Sequence, residues 1–304
     1  MKWNIYSYSK LWMIFFVLMG AACTNQVEDA IPVSGQPIEF SVQSDWKEIP
    51  NTRLNDGKKK FEAGDKIQIF GFHKYSSEGE VKFMYRANDP KKQRGQIVTL
   101  DDNNNWNYSP KRFWPKEGTL DFYASYPDYS VLNEEDKMTY VQPDFNPLGV
   151  DLLWGLATNR DCATVRKKPV QIWMVHALAK VNIFFDSSLG DIKQAKVSAY
   201  KAGYFKNADN GVPIWHVDDK TDIIQATIPE KPTKIGDVTV FILPKRITGL
   251  KLIKLLDGKE IDVSDKIQNL TFDAGKVYNL TISNGVQKNT NSRSIAMSVR
   301  CVSE

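Results

Sequence analysis

The sequence predicts an all-β protein made of two tandem β-sandwich domains. Short segments of alternating apolar and polar residues recur roughly every 8–12 residues, which is typical of sandwich strands. Few segments have the length and amphipathic pattern of a helix. The chain has 304 residues, and since a domain holds roughly 150, this length favours two domains.

The composition is that of an ordinary globular protein, with 25% charged and 42% apolar residues. These proportions argue against general disorder and against a multi-span membrane protein. The formal net charge is +4, and Lys2 and Lys10 contribute to it from the N-terminal leader. The charge that remains is too small for the basic surface of a nucleic-acid binder, so no nucleic-acid partner is expected.

Residues 1–22 are predicted to be a signal peptide, because lysines precede an apolar run, Leu11–Met19, and small residues follow it. The run is shorter than the roughly 20 residues that a membrane-spanning helix needs. Cys23 directly follows the small residues and is predicted to be the lipidated cysteine of a bacterial lipobox. Gly20 stands where a lipobox usually has leucine, so simple secretion is the alternative.

The first domain is predicted over residues 36–168, after a polar tether over residues 23–35. Its first strand is indicated by Ile38, Phe40 and Val42, which alternate with polar residues. A polar, basic loop follows this strand. The later strands of the domain are predicted at Lys66–Phe72, Val81–Tyr85, Trp106–Tyr108 and Thr119–Tyr126.

The second domain is predicted over residues 169–285, and a short helical turn is predicted before it, over residues 151–158. An Asp-Gly pair at 257–258 predicts a hairpin turn. A final hairpin is predicted over Leu270–Ile282, with its turn at Ala274–Lys276. The other strands are predicted at Val170–Met174, Leu178–Phe185, Val197–Tyr204, Trp215–Val217, Ile223–Ile228, Val238–Leu243 and Leu250–Ile253.

Residues 286–304 form a C-terminal extension with a polar linker and one last predicted strand. In this strand Ile295, Met297, Val299 and Cys301 share one face. Such a strand either pairs within its own sheet or is added to the sheet of another molecule. The spacing alone favours pairing within the chain, because that is the commoner way to cover a sheet edge.

No catalytic, cofactor-binding or metal-binding constellation is recognisable, so an enzyme is not expected. His176 lies in an apolar strand and is interpreted as a buried histidine bonded to the backbone, since a catalytic base would need a partner. His73 and His216 stand alone beside loops, and no closely spaced Cys or His ligands of a metal site occur. Cys162 and Cys301 either pair or remain buried thiols.

Four aromatic residues in the first domain have two interpretations. They either line a platform for sugar binding or pack in the core, and core packing is the default. They are Trp106, Tyr108, Phe113 and Trp114.

Several short blocks occur in an order and spacing that are together fairly specific. The blocks are Thr52-Arg53 before Gly64-Asp65, Phe113–Pro115 before Leu120–Pro127, Asp151–Leu153 before Val175–Val181, and Phe272-x-Ala274-Gly275-Lys276-x-Tyr278. Over residues 36–285 the chain resembles the fimbrillin (Mfa-like) family of bacterial lipoproteins.

This resemblance implies two tandem transthyretin-like β-sandwich domains and export as a lipoprotein to the cell surface, either at the outer membrane or in a fimbrium. In polymerising members a protease cuts after an arginine in the loop that follows the first strand, and Arg53 holds that position here. Loss of the strand Ile38–Val42 would open a groove that a strand of another subunit fills. The resemblance shifts the expectation for Ile295–Cys301 toward such a donor strand.

Two functional hypotheses follow. The first is a structural or accessory subunit of a surface fimbria that contributes to adhesion, with a lipid anchor, a processing protease and other fimbrial subunits as partners. The second is a surface lipoprotein that does not polymerise and binds glycan or host protein through exposed aromatic residues. No cofactor is expected under either hypothesis.

Overall fold

The fold is almost entirely β, as predicted. The computed structural model describes residues 31, 33–44, 60–75, 79–89, 91, 93–127, 131–132, 138–141, 151–165, 167–207, 213–227, 237–286 and 295–303. Two short 3-10 helices, Ser187–Leu189 and Ser264–Lys266, are the helical elements of this part of the chain. Among the same residues, no helix has the length and apolar character needed to cross a membrane.

The strands are numbered in chain order. The first twelve are β1 Val33–Pro37, β2 Phe40–Ser44, β3 Lys66–Tyr75, β4 Gly79–Met84, β5 Gln96–Leu100, β6 Trp106–Asn107, β7 Phe113–Pro115, β8 Thr119–Tyr126, β9 Val131–Leu132, β10 Met138–Val141, β11 Leu153–Asp161 and β12 Val170–His176. The others are β13 Ala179–Phe185, β14 Ile192–Tyr200, β15 Ala202–Asn207, β16 Pro213–Val217, β17 Thr221–Thr227, β18 Val238–Ile242, β19 Gly249–Lys254, β20 Glu260–Asp262, β21 Val277–Val286 and β22 Ile295–Ser303.

The largest sheet has eight strands in the order β4-β3-β5-β6-β2-β12-β11-β8, and it closes on itself because β8 also pairs with β3. This ring, here called the closed sheet, surrounds the first hydrophobic core, in which Trp114 and Phe122 are almost completely buried. Closing a sheet removes the unpaired edges that an open sheet would expose.

Strand β3 has core on both of its faces. Ile67 and Ile69 point into the first core, whereas Phe70 and Phe72 belong to a separate cluster outside the ring. Alternate residues of a strand point to opposite faces, so the apolar residues of β3 contribute to both sides of the sheet.

A second core lies between two four-stranded sheets, β18-β13-β21-β22 and β17-β14-β19-β20. Val181 of β13 and Leu280 of β21 come from the first of these sheets, while Val197 of β14 and Leu252 of β19 come from the second, and all four are fully buried. This arrangement of two packed sheets is the predicted sandwich.

A fourth sheet, β16-β15-β10-β9, joins strands from the two halves of the chain. Beneath it lies the cluster that also contains Phe70 and Phe72, where the Trp154 and Phe205 rings meet edge to face at 4.9 Å. Trp215 donates a hydrogen bond from Nε1 to the Ala177 carbonyl oxygen at 2.8 Å. The two halves are therefore connected by both a sheet and an apolar cluster.

Local sequence interpretation is wrong in two places. Residues 153–161 form the strand β11 rather than a helical turn over 151–158, because β11 is paired on both sides by β8 and β12. The predicted hairpin over Leu270–Ile282 does not form, since β21 pairs in parallel with β13 and antiparallel with β22. The Asp-Gly turn at 257–258 is confirmed by the pairing of β19 with β20.

Two predicted boundaries fall inside folded structure. Strand β12 belongs to the closed sheet, so that sheet continues past the predicted domain boundary at residue 168 as far as His176. The predicted tether over 23–35 ends in ordered structure, because Ile31 is 7% exposed in the first core and β1 begins at Val33. The division into two tandem transthyretin-like domains stays a prediction.

Candidate functional site

The predicted site residues fall into three groups. Cys23 and Arg53 lie outside the described residues. The predicted first strand is described at side-chain level. The predicted donor residues, Ile295, Met297, Val299 and Cys301, lie in β22, where the pairing of the backbone is described.

The first strand is the best-defined element of the candidate site. Ile38, Phe40 and Val42 are 0%, 5% and 9% exposed and point into the first core. The Phe40 ring meets Phe122 edge to face at 5.3 Å and Tyr108 in a tilted contact at 5.8 Å. The predicted alternation of apolar and polar positions thus matches the face that the strand buries.

The hydrogen-bond ladder holds this strand unequally on its two sides. Strand β2 pairs in parallel with β12 through all five of its residues, but its pairing with β6 is confined to Phe40 and Trp106. At its start the segment adds two backbone bonds, from Ile38 N–H to the Arg112 carbonyl at 2.9 Å and from Val170 N–H to the Glu39 carbonyl at 2.7 Å. Most of the described backbone pairing of strand β2 is therefore with β12.

Tyr108 stabilises the start of the first strand through a hydrogen bond. Its hydroxyl donates a hydrogen bond to the Ile38 carbonyl oxygen at 2.8 Å. Burial raises the pKa of Tyr108 to about 12, because removing the phenol from water disfavours the phenolate. Sequence interpretation missed this contact, since 70 positions separate the two residues and no local pattern links them.

The segment before Arg53 contributes more ordered structure than the sequence predicted. Strand β1 pairs antiparallel with β7, with Val33 opposite Pro115 and Pro37 opposite Phe113. Ile31 adds a buried side chain to the first core. The N-terminal segment therefore contacts the rest of the chain through two strands and not one.

The last strand lies at the edge of its sheet. Strand β22 pairs antiparallel with β21 from Val286 opposite Ile295 to Tyr278 opposite Ser303. In the sheet order it is the terminal strand, next to β21. The described structure thus shows the strand paired within its own chain, and donation to another subunit stays a prediction.

The proposed aromatic platform is wrong for most of its members. Trp106, Tyr108 and Trp114 are 7%, 7% and 1% exposed and belong to the first core, as the core-packing interpretation expected. Phe113 is 38% exposed, on the short strand β7. These residues therefore do not form an exposed surface for a sugar.

The interpretation of His176 is also corrected. Its side chain is 28% exposed rather than fully buried, and its Nδ1 contacts a carboxylate oxygen of Asp151. The two residues meet because β11 and β12 are antiparallel and place Leu153 opposite His176.

Other candidate ligands do not converge among the described residues. His73 is fully buried, and its Nε2 lies 2.9 Å from the Glu117 carbonyl oxygen. Burial lowers the pKa of His73. Cys162 is fully buried, and its Sγ lies 3.9 Å from the Arg160 carbonyl oxygen. Within the described ranges no group of His, Cys, Asp and Glu residues could hold a metal ion.

The fold and the site together define a β-sheet protein whose N-terminal strand is inserted into a sheet made by the rest of the chain. The chain belongs to the fimbrillin-like family, whose sequence profile matches residues 52–297. No curated protein matches the chain.

Solved structures with similar folds include two putative cell adhesion proteins. The one from Bacteroides uniformis shares 18% identity with a TM-score of 0.54, covering 88% of this chain and 98% of its own. The one from Bacteroides ovatus shares 13% identity with a TM-score of 0.51, covering 88% and 95%. A third, the tip fimbrial protein Mfa3 from Porphyromonas gingivalis, shares 9% identity with a TM-score of 0.45, covering 80% and 94%.

The family assignment identifies the chain as a fimbrial subunit. It implies a surface or fimbrial location and interaction with other fimbrial subunits. The first two structural neighbours agree with the all-β architecture.

Proposed function

We propose that the chain is a structural or accessory fimbrial subunit that assembles by exchange of its first strand and contributes to adhesion. The observation that carries this proposal is the burial of Ile38, Phe40 and Val42 in the closed sheet. In the proposed route, cleavage after Arg53 separates the segment that holds these residues from the rest of the chain. The proposed role is non-enzymatic.

Removal of the segment would create a site with two complementary features. The space left by Ile38, Phe40 and Val42 would be an apolar groove, lined in part by Phe122 and Tyr108. Strand β12 would lose its partner over five residues, leaving backbone donors and acceptors unpaired. An added strand with alternating apolar residues restores burial and hydrogen bonds together.

The last strand has the pattern that such a groove requires. Ile295, Met297, Val299 and Cys301 repeat at the two-residue spacing of the first strand. Because β22 is the terminal strand of its sheet among the described strands, its departure would break one described ladder, the one with β21. A head-to-tail contact of this kind repeats from subunit to subunit and produces a fibre.

The proposal also includes membrane attachment during export. Lipidation of Cys23 would hold the precursor at the outer membrane before the Arg53 cleavage. Two or more acyl chains give a stable anchor, whereas one chain gives marginal binding. Cleavage after Arg53 would then release the mature subunit from that anchor.

The test uses a protease that cuts after arginine and not after lysine, because Lys58–Lys60 lie close by. The chain beginning at Cys23 is digested and analysed by mass spectrometry and size-exclusion chromatography. We expect cleavage after Arg53, loss of the fragment that ends there, and the appearance of oligomers. Arg53→Ala is the matched control and is expected to remain uncut at position 53 and to stay monomeric.

A second variant tests the donor strand. Val299→Asp places a charge on the donor face and should allow cleavage after Arg53 while preventing oligomers. Complete cleavage after Arg53 that leaves the chain uncut after Arg293, and so keeps the donor strand attached, but yields only monomers would contradict the proposal. That result would favour a surface lipoprotein that binds its target without polymerising.

A further inference from the structure

The fourth sheet carries aromatic rings on both faces. Phe205 and Trp215, which pack at 4.7 Å, point into the apolar cluster below. Tyr204 and His216 are opposite each other on the other face, and their rings stack at 4.9 Å with an interplanar angle of 17°. Because the outer face of a half-buried antiparallel sheet is normally polar, a stacked ring pair there needs an explanation.

The ring pair forms one side of a cavity, and the loop after β16 forms the other side. The cavity has a volume of about 580 Å³ and is broadly open to solvent, so a ligand in it would remain partly exposed. Its polar wall consists of Asp218, Asp219 and Lys220, all of which are exposed. The cavity therefore combines an aromatic surface with hydrogen-bond donors and acceptors.

The backbone around the cavity is held in place. Asp218 N–H donates to the Ala202 carbonyl at 2.9 Å, and Lys201 N–H donates to the Lys220 carbonyl at 3.2 Å. Strands β15 and β16 approach so closely at Gly203 that an added Cβ would lie 2.8 Å from the His216 carbonyl oxygen. These contacts fix the backbone that carries the cavity residues, which limits the backbone ordering that binding would require.

The charges at the cavity are close to balanced. Asp219 pairs with Lys245, with 3.2 Å between Oδ1 and Nζ, and the Lys245 ammonium lies 4.4 Å from the centre of the Tyr200 ring. Asp218 and Lys220 add one charge of each sign. This balance favours a neutral ligand with many hydroxyl groups over a strongly charged one.

We propose that this cavity, lined by Tyr204, His216 and the residues 218–220, binds a neutral carbohydrate. The C–H face of a sugar ring would lie against the aromatic surface, while carboxylates accept from its hydroxyls and the ammonium groups donate to them. The inference deepens the adhesive part of the proposed function and rests on it for the exposure of the chain at the cell surface.

The test is affinity electrophoresis of the chain beginning at Cys23 in gels that contain starch, mannan, xylan or dextran. A polysaccharide that retards the protein is then studied by calorimetry with its oligosaccharides. We expect retardation by at least one of the polysaccharides, and a dissociation constant weakened about tenfold or more by Tyr204→Ala and by His216→Ala. Trp173→Ala is the matched control, because Trp173 is an aromatic residue that is 54% exposed on β12. Thermal unfolding verifies that each variant is folded.

Absence of retardation in all four gels would overturn the proposal, as would equal binding by all the variants. Binding of tetramethylammonium but of no polysaccharide would assign the cavity to cations and overturn it as well. The assembly assay separates the two proposals. Loss of oligomers with carbohydrate binding intact contradicts strand exchange alone, and failure to bind carbohydrate with oligomers intact contradicts the cavity alone.

Discussion

The hydroxyl of Tyr108 and the carbonyl oxygen of Ile38 form a hydrogen bond of 2.8 Å between two segments that are far apart in sequence. The bond lies at the start of the strand that is proposed to leave the subunit. Because Tyr108 also contacts Phe40, it supports both the backbone and the side chains of that strand. The stability of this contact is therefore relevant to the release of the strand.

Tyr108→Phe should lower the free energy of unfolding by about 1–3 kcal/mol, since it leaves the ring in place but removes the bond to Ile38 and the longer bond that the hydroxyl accepts from Arg112 N–H at 3.3 Å. The same variant should lose its first strand faster after cleavage at Arg53. Urea unfolding measures the first effect, and the rate at which the fragment separates measures the second. An unchanged rate would show that Tyr108 does not restrain the strand.

The pKa of Tyr108 gives a pH dependence with a defined sign. The native pKa is about 12, compared with about 10 for an exposed tyrosine. Between these values the native state retains a proton that the unfolded chain has lost, so the stability contributed by Tyr108 decreases as the pH rises. The difference in stability between the wild type and Tyr108→Phe is expected to be constant below about pH 9 and to change above about pH 10. A difference that does not change would contradict the raised pKa.

Phe40→Ala should be strongly destabilising, by about 3–5 kcal/mol, because it leaves a cavity in the first core. The control is Phe113→Ala, which removes the same side chain from a position that is 38% exposed. The control should cost much less. Equal losses measured by urea unfolding would show that Phe40 is not part of the packed core.

Gly118→Ala should also destabilise the fold, by about 3 kcal/mol. Gly118 has φ +82°, and a Cβ there would lie 2.5 Å from the Lys74 carbonyl oxygen and 2.7 Å from His73 Nε2, so strain and overlap combine. Gly258→Ala is the control, because Gly258 has φ +65° but no atom within 4 Å of the added Cβ. The control should cost about 1 kcal/mol. Thermal unfolding that ranks the two variants in the opposite order would contradict the close contact.

Asp121→Asn tests a buried polar contact of the closed sheet. Asp121 is 2% exposed, and it accepts hydrogen bonds from Lys74 Nζ at 2.5 Å and Asn159 N–H at 2.6 Å. Replacing one oxygen by an amino group should cost about 1–3 kcal/mol, because a donor then faces a donor. Asp265→Asn alters a carboxylate that is 65% exposed, and it should change the stability by less than about 0.5 kcal/mol. Chemical denaturation of the two variants makes the comparison.

The sequence predicted which face of a strand is buried better than it predicted which strands pair with one another. Alternation identified the buried face of Ile38, Phe40 and Val42, since a two-residue repeat has a direct geometric meaning. The same local reasoning placed a helical turn at 151–158, because a continuous apolar run does not distinguish a strand paired on both sides from a short helix. The hairpin predicted over Leu270–Ile282 was wrong because β21 pairs with the parallel strand β13, which is far away in the sequence.

The candidate site was predictable to a similar degree. The sequence indicated the first and the last strand, but not the bond from Tyr108 to Ile38, nor the pairing of Asp151 with His176, because both depend on long-range register. It also did not identify the cavity beside Tyr204. Of the cavity residues, only His216 was considered as a possible ligand-binding residue in the sequence, and it had no neighbouring candidate ligand there.

The pairing of β10 with β15 has a mechanical consequence for a subunit under tension. The two halves of the chain are connected covalently between His176 and Ala179, and the ladder from Met138 opposite Phe205 to Val141 opposite Ala202 bridges them a second time. A force that pulls the halves apart would thus be shared between a covalent link and a set of hydrogen bonds. Such a subunit would extend only after the ladder breaks, so a fibre built from it would resist small loads stiffly and yield in steps under larger ones.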